Sequence, residues 1–328
     1  MWAEESLLKK ENYSKHKGKE VNRMSIDVLI EKIKEKKNPT VAGLDPRWEY
    51  IPQHIQAEAI AKYGKTNQAV GEALLAFNKG LIDSLCDIVP AVKPQSAYYE
   101  MYGLSGLAAL AGTISYAKEK GMYVVLDGKR NDIGKTAEAY SAAYLGGVMA
   151  GDIDVKNELE SDGLTVNGYL GTDGILPFVK DCDKAGKIIF VLVKTSNPSS
   201  GELQDLTVGE ETIYQKMASM VTHWGEGLEG KYGDTPVGAV VGATYPKQLK
   251  ELRGLMPKSY ILVPGYGAQG GGAQDVAGAF DTNGLGAIIN SSRGIMCAWQ
   301  KGDYKPEEFG KAARDEAIRM REDILQYI

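Results

Sequence analysis

The stretch Val124–Tyr140, VVLDGKRNDIGKTAEAY, holds the residues whose types and spacing are best suited to chemistry. Side chains on a strand alternate between faces, so Asp127 and Lys129, two apart, project to the same side. The apolar run Val124, Val125, Leu126 directly precedes them, which places the pair at the carboxyl end of a buried strand. Asp132 follows three residues later, where strand gives way to loop, and Thr136 and Glu138 lie on the helix beyond. The competing reading is a solvated turn in which Asp132 caps a helix beginning near Gly134. A second lysine weakens it: Lys93, in AVKPQSAYYE, ends the preceding apolar run. Two lysines and two carboxylates are then expected to converge on one mouth. An ammonium between carboxylates keeps its proton, because nearby opposite charge favours the charged form. Such a lysine is a poor imine-forming nucleophile but a good cation and proton donor for a developing carbanion.

A second set of residues suits a phosphate. PGYGAQGGG, Pro264–Gly272, follows one apolar run and SSRG, Ser291–Gly294, follows the next. Glycine leaves backbone N–H groups approachable by an anion, and Arg293 adds a bidentate cation. The spacing is not that of a Walker A loop, since no G-K-[ST] follows. Asp45, in GLDPR, is placed either to accept hydrogen bonds from sugar hydroxyls or to start an Asp-Pro turn. Thr195, Ser196 and Asn197 follow another run and suit either the carbonyl and N–H edges of a flat ring or a helix cap. His16, His54 and His223 are unlinked to these groups and are assigned surface or packing roles. Cys86, Cys182 and Cys297 are far apart and have no C-x-x-C spacing, so neither a zinc site nor a disulfide framework is expected. No metal or cofactor is assigned.

Eight short runs must carry these residues: Thr40–Asp45, Ile88–Gln95, Tyr123–Lys129, Leu164–Gly171, Lys187–Ser196, Val237–Thr244, Tyr260–Gly267 and Gly286–Gly294. Each is rich in β-branched residues and nearly continuous in its apolar core, as strands of a parallel sheet buried on both faces are. Helical patterns alternate with them. Ala69–Leu85 carries Leu74, Leu75, Phe77, Leu81 and Leu85, Tyr98–Lys120 ends on Gly121, and an amphipathic helix runs from Pro306 to the end. Eight strands alternating with helices over about 300 residues predict a single-domain (β/α)8 TIM barrel over 24–328, with a doubly wound sheet as the competing architecture. Residues 1–23, polar and rich in Lys and Glu, read as a disordered leader or tag.

Composition sets limits on partners. The 328 residues carry a net charge of −5 and 43% hydrophobic residues, which argues against a nucleic-acid polymer as ligand but not against a small phosphate ester. No run reaches the length of a membrane span and no secretory signal is visible, so a soluble cytoplasmic protein is expected. Glycine, at 39 residues, is about 12% of the chain against an ordinary 7% or so, and much of the excess falls at the strand ends.

Together these motifs resemble the orotidine 5′-phosphate decarboxylase family over nearly all of Val41–Gly294. The signature D-x-K-x-x-D-I-x-x-T stands as Asp127, Lys129, Asp132, Ile133 and Thr136, and the VKPQ-A-x-x-E segment at Lys93 looks like the longer subfamily of that enzyme. The resemblance implies a homodimeric (β/α)8 enzyme of de novo pyrimidine synthesis that converts orotidine 5′-monophosphate to UMP and CO2 without a cofactor. In that likeness Lys129 stabilises and protonates the C6 carbanion, Asp127 faces the departing CO2 group, and Asp132 comes from the other subunit. Lys93 and Asp45 resemble the ribose-contacting pair, and Ile133 and Thr136 belong to the segment used across the two-fold, Thr136 as a ribose contact. Ser196 resembles a pyrimidine contact, while Gln269 and Arg293 look like the phosphate grip. Asn131 and Gly168 stand where Gly and Pro are more usual, and neither carries chemistry. The nearest alternative is a Mg²⁺-dependent sugar-phosphate decarboxylase or aldolase of the same barrel. A non-catalytic nucleotide-binding protein on the same fold is a further one.

Overall fold

The computed structural model describes residues 25–267 and 270–328, so the 1–23 segment, His16 and Gln269 lie outside the described residues. Eight parallel strands close into a barrel: β1 (Thr40–Leu44), β2 (Ala91–Pro94), β3 (Tyr123–Arg130), β4 (Gly163–Val166), β5 (Ile188–Lys194), β6 (Thr235–Val241), β7 (Ser259–Val263) and β8 (Ala287–Ser291). Each pairs with its neighbours in chain order, and β1 pairs with β8 to complete the ring. All eight runs of the sequence became these strands, because their unbroken apolar cores are buried on both faces. The doubly wound sheet is thereby excluded.

The helices are α1 (Ser25–Lys36), α2 (Gln53–Tyr63), α3 (Asn67–Leu85), α4 (Gly103–Glu119), α5 (Gly134–Ser141), α6 (Thr172–Ala185), α7 (Ile213–Gly225), α8 (Pro246–Leu255) and α9 (Phe309–Leu325). The single helix expected over Tyr98–Lys120 is broken. A short turn, Ala97–Glu100, precedes α4, and the chain restarts at Gly103 in a left-handed conformation, φ +63°, that interrupts an α-helix. Gly121 ends α4 as expected, its N–H donating to the Lys118 carbonyl at 2.9 Å. Helix α3 starts two residues before the expected Ala69, where the Thr66 hydroxyl accepts from the Ala69 N–H.

Two apolar cores hold the fold together. The larger lies between strands and outer helices; the smaller fills the barrel, with Val125, Phe190, Tyr260, Leu262 and Ile288 among its members. Helix α1 closes the amino-terminal end of the barrel by burying Ile26, Leu29, Ile30 and Ile33 against this inner core. Burial of each such side chain contributes on the order of 2 kcal/mol. The Ser25 and Tyr123 hydroxyls meet at 2.5 Å, and the Asp27 carboxylate accepts from the Lys231 N–H at 3.0 Å, which fixes the plug at both ends of its first turn.

Candidate active site

The carboxyl ends of the strands surround a cavity of about 660 Å3, a size suited to a small ligand. On its floor, Asp127 of β3 accepts from Lys93 Nζ of β2 through Oδ2 at 2.8 Å and from Lys129 Nζ through Oδ1 at 2.7 Å. Lys93 is almost wholly buried, whereas nearly half of the Lys129 side chain is open to the cavity. Burial works against the charge on Asp127, but Lys93 and Lys129 outweigh it and hold the carboxyl well below its ordinary range. Burial likewise opposes the Lys93 ammonium, and Asp127 with Asp45 more than compensates, raising its pKa. The result is a fixed cation–anion–cation row with one ammonium left accessible.

This row also makes a prediction about stability. A depressed carboxyl pKa stabilises the fold at every pH above the ordinary 3.8, and the contribution is lost as pH falls through the folded value. Asp127→Ala leaves the buried Lys93 short of its nearest anion, so it is expected to cost roughly 3–5 kcal/mol in urea denaturation at pH 7. The gap should persist to pH 5 and narrow only in strong acid. Equal stability at pH 7 would show that Lys93 is not held as a buried cation.

Asp45 follows β1 at the same rim. Burial pushes its carboxyl upward, Lys93 and a hydrogen bond from Ser292 pull it down, and the net direction is upward. Its Oδ1 is buried and has no hydrogen-bond partner among the described residues. Ser292 reaches this rim because Gly43 has no side chain: a Cβ there would lie 1.9 Å from Ser292 Oγ.

The phosphate-type loops open onto the same cavity, the second of them next to Asp45 through Ser292. Arg293 begins a four-residue helical turn after β8, and Pro264 and Gly265 after β7 line the same wall. Gly265 has φ +101°, a conformation that a side chain at this position would strain.

After β5, Thr195, Ser196 and Asn197 all border the cavity. The Thr195 hydroxyl donates to Asn197 Oδ1 at 2.6 Å and accepts from Gln204 Nε2 at 2.8 Å. That leaves Ser196 as the hydroxyl of the three without a side-chain bond among the described residues, packed where Gly242 leaves room.

Asp132, Ile133 and Thr136 do not line this chain's own cavity. The expectation that a second carboxylate joins the lysines within one chain is therefore corrected. The chain turns away after Arg130, and the Asp132 carboxylate accepts from the Ile133 N–H at 2.8 Å. Ile133, rather than Asp132, occupies the cap position of α5, and both Ile133 and Thr136 are exposed.

Three features escaped the sequence reading. Thr165 of β4 donates to Asp127 Oδ1 at 2.8 Å and accepts from the Lys129 N–H at 3.0 Å; as a β-branched residue inside an apolar run it reads only as a strand former. Glu100, the last residue of the VKPQ-A-x-x-E segment, forms an ion pair with Arg130, tying the ends of β2 and β3 together. Lys129 itself adopts φ +48°, a left-handed conformation costing on the order of 1 kcal/mol for a residue other than glycine. His54 lies near the Phe309 ring and His223 against Glu226, in line with packing and surface roles. Among the described residues no group of three His, Cys, Asp or Glu is placed to hold a metal ion.

A closed parallel barrel with a lysine–carboxylate row at its carboxyl-terminal mouth, and with arginine- and glycine-bearing loops after the last two strands, defines a (β/α)8 protein built to receive a small anion. Comparison with known proteins narrows the class. Residues 43–302 match the orotidine 5′-phosphate decarboxylase / HUMPS family, and the chain belongs to that family. An orotidine 5′-phosphate decarboxylase of Rhodopirellula baltica is 48% identical over 274 residues, covering 84% of this chain and 87% of that protein. One from Caldicellulosiruptor saccharolyticus is 40% identical, covering 91% and 97%. The solved structure of Leishmania donovani OMP decarboxylase superposes with a TM-score of 0.70 at 29% identity, over 93% of this chain and 98% of that one.

Proposed function

We propose that this protein decarboxylates orotidine 5′-monophosphate to UMP and CO2 in de novo pyrimidine biosynthesis. The observation that carries the reading is the Lys93–Asp127–Lys129 row on the cavity floor of a chain so similar to named decarboxylases. In the reaction the bond from C6 to the carboxylate breaks, its electron pair stays on C6 and CO2 departs. Lys129, the accessible ammonium, stabilises that pair and transfers a proton to C6; solvent then reprotonates the amine. Asp127, held ionised, faces the departing carboxylate and orients both lysines. Asp45, with its unpartnered buried oxygen, accepts from a ribose hydroxyl beside Lys93. Ser196 meets the pyrimidine edge, and Arg293 with Gln269 grips the phosphate. The direct test is loss of orotidine 5′-monophosphate ultraviolet absorbance on adding dilute protein; no loss under saturating substrate would refute the reading.

The active unit is a homodimer with shared sites, in which Asp132, Ile133 and Thr136 reach the cavity of the partner. Supporting this, exposed apolar side chains gather on the segments after three adjacent strands: Met101 and Leu104 after β2, Ile133, Met149 and Ile153 after β3, and Tyr169 after β4. Exposed apolar side chains on neighbouring loops suit an interaction surface. We place the protein in the cytoplasm, in keeping with a biosynthetic role and three free cysteines; among the described residues no helix is long and apolar enough to cross a membrane.

Two expected results test the site's division of labour. Arg293→Ala should weaken substrate binding by about 1.5–3 kcal/mol, roughly tenfold to a hundredfold in kcat/KM, as loss of a charge-assisted contact does. Phosphite dianion should partly restore turnover of a phosphate-free substrate in the wild type and do so poorly in this variant. Equal activity on the full substrate would put the phosphate elsewhere. Separately, activity should survive EDTA, since the lysines supply positive charge where the reaction needs it. Loss on chelation with rescue by Mg²⁺ would instead favour sugar-phosphate chemistry.

A further inference from the structure

Thr165 lies where the ladder between β3 and β4 breaks. Leu126 pairs with Leu164 and Arg130 with Val166, so Asp127, Gly128 and Lys129 stand opposite Thr165 alone. Two extra residues in one strand form a bulge, and bulges re-aim side chains beside active sites. An N–H displaced from its ladder needs another acceptor. That of Lys129 finds Thr165 Oγ1 at 3.0 Å. A threonine hydroxyl carries one hydrogen, and with its oxygen accepting from Lys129, that hydrogen is directed to Asp127 Oδ1 at 2.8 Å. The same Oδ1 accepts from Lys129 Nζ at 2.7 Å. One hydroxyl therefore ties the backbone of Lys129 to the carboxylate that holds its ammonium, while Lys129 sits at φ +48°.

We propose that Thr165 is a positioning residue for decarboxylation: it fixes the left-handed turn at Lys129 and so sets where the ammonium stands relative to the reacting carbon. Its own hydroxyl hydrogen is committed to Asp127, so it acts through its neighbours and leaves the chemistry to them. A displacement of about 1 Å in such a group costs on the order of a hundredfold in rate. The inference rests on the reading of Lys129 as the proton donor at C6.

The test compares Thr165→Val, nearly isosteric but without either hydrogen bond, with Thr165→Ser, which keeps the hydroxyl. The valine variant should lose roughly tenfold to a hundredfold in kcat, with KM and UMP affinity within about twofold of wild type; the serine variant should recover most of the loss. Thr165→Ala deletes the same hydroxyl if the valine variant does not fold. Hydrogen exchange of the peptide spanning 124–133, followed by mass spectrometry, should be faster in the valine variant and unchanged in the serine variant. Exchange needs no turnover, so it separates the two readings. A wild type inert toward orotidine 5′-monophosphate, with the exchange difference present, overturns the decarboxylase assignment and with it the catalytic part of this proposal. Unchanged exchange, an unchanged kcat, or equal losses of kcat in valine and serine variants overturn the positioning role itself.

Discussion

Lys129→Ala is expected to abolish turnover of orotidine 5′-monophosphate while leaving UMP binding partly intact. On the proposed mechanism the variant loses both the cation that stabilises the developing carbanion and the acid that protonates it. General acid catalysis alone contributes about 10²–10⁴-fold and an electrostatic donor a further 10²–10³-fold, so a fall in kcat of at least about 10⁴-fold is expected. Lys93 cannot substitute, because it is buried and its ammonium is bound to the far oxygen of Asp127. Asp127 keeps Lys93 and Thr165 as partners, so the floor of the site should stay folded. Titration with UMP or its 6-hydroxy analogue tests that retained affinity. A kcat within tenfold of wild type would remove Lys129 from the chemistry.

Mixing two inactive variants, Asp132→Asn and Lys129→Ala, should restore activity. If Asp132 serves the partner's cavity, each mixed dimer holds one site with both residues intact and one with neither. Random exchange makes half of the dimers mixed, so about a quarter of wild-type activity is the expected ceiling. This follows from where the chain leaves Asp132, outside its own cavity on the side where apolar side chains are exposed. No recovery after subunit exchange verified by mass spectrometry would sink the shared-site reading.

The barrel was legible because each strand is a continuous apolar run ended by polar or glycine-rich residues, and eight such runs are too many for chance. Much of the mouth was legible for the same reason: strand alternation put Asp127 and Lys129 on one side, and Lys93 had to stand beside them if β2 neighbours β3. What alternation could not show was the bulge. Regular pleating accounts for neither the φ of Lys129 nor the link through Thr165, because both arise from a mismatch between two strands far apart in sequence. The same limit applies to Asp132, whose distance from the lysines along the chain says nothing of the turn that carries it away. Helix α1, by contrast, was written plainly in Ile26, Leu29, Ile30 and Ile33 at three- and four-residue steps.

That helix has a consequence for traffic. With α1 sealing one end and Val125, Phe190, Tyr260 and Ile288 filling the bore above it, the reaction chamber among the described residues is a blind well open at the mouth. Gas and nucleotide must both leave past the rim by which the substrate entered. On the proposed reading CO2, uncharged and small, offers nothing for Arg293 to hold, whereas UMP stays until its phosphate is let go. A plug at the far end of the barrel, which touches neither product, thus obliges both to use the same rim.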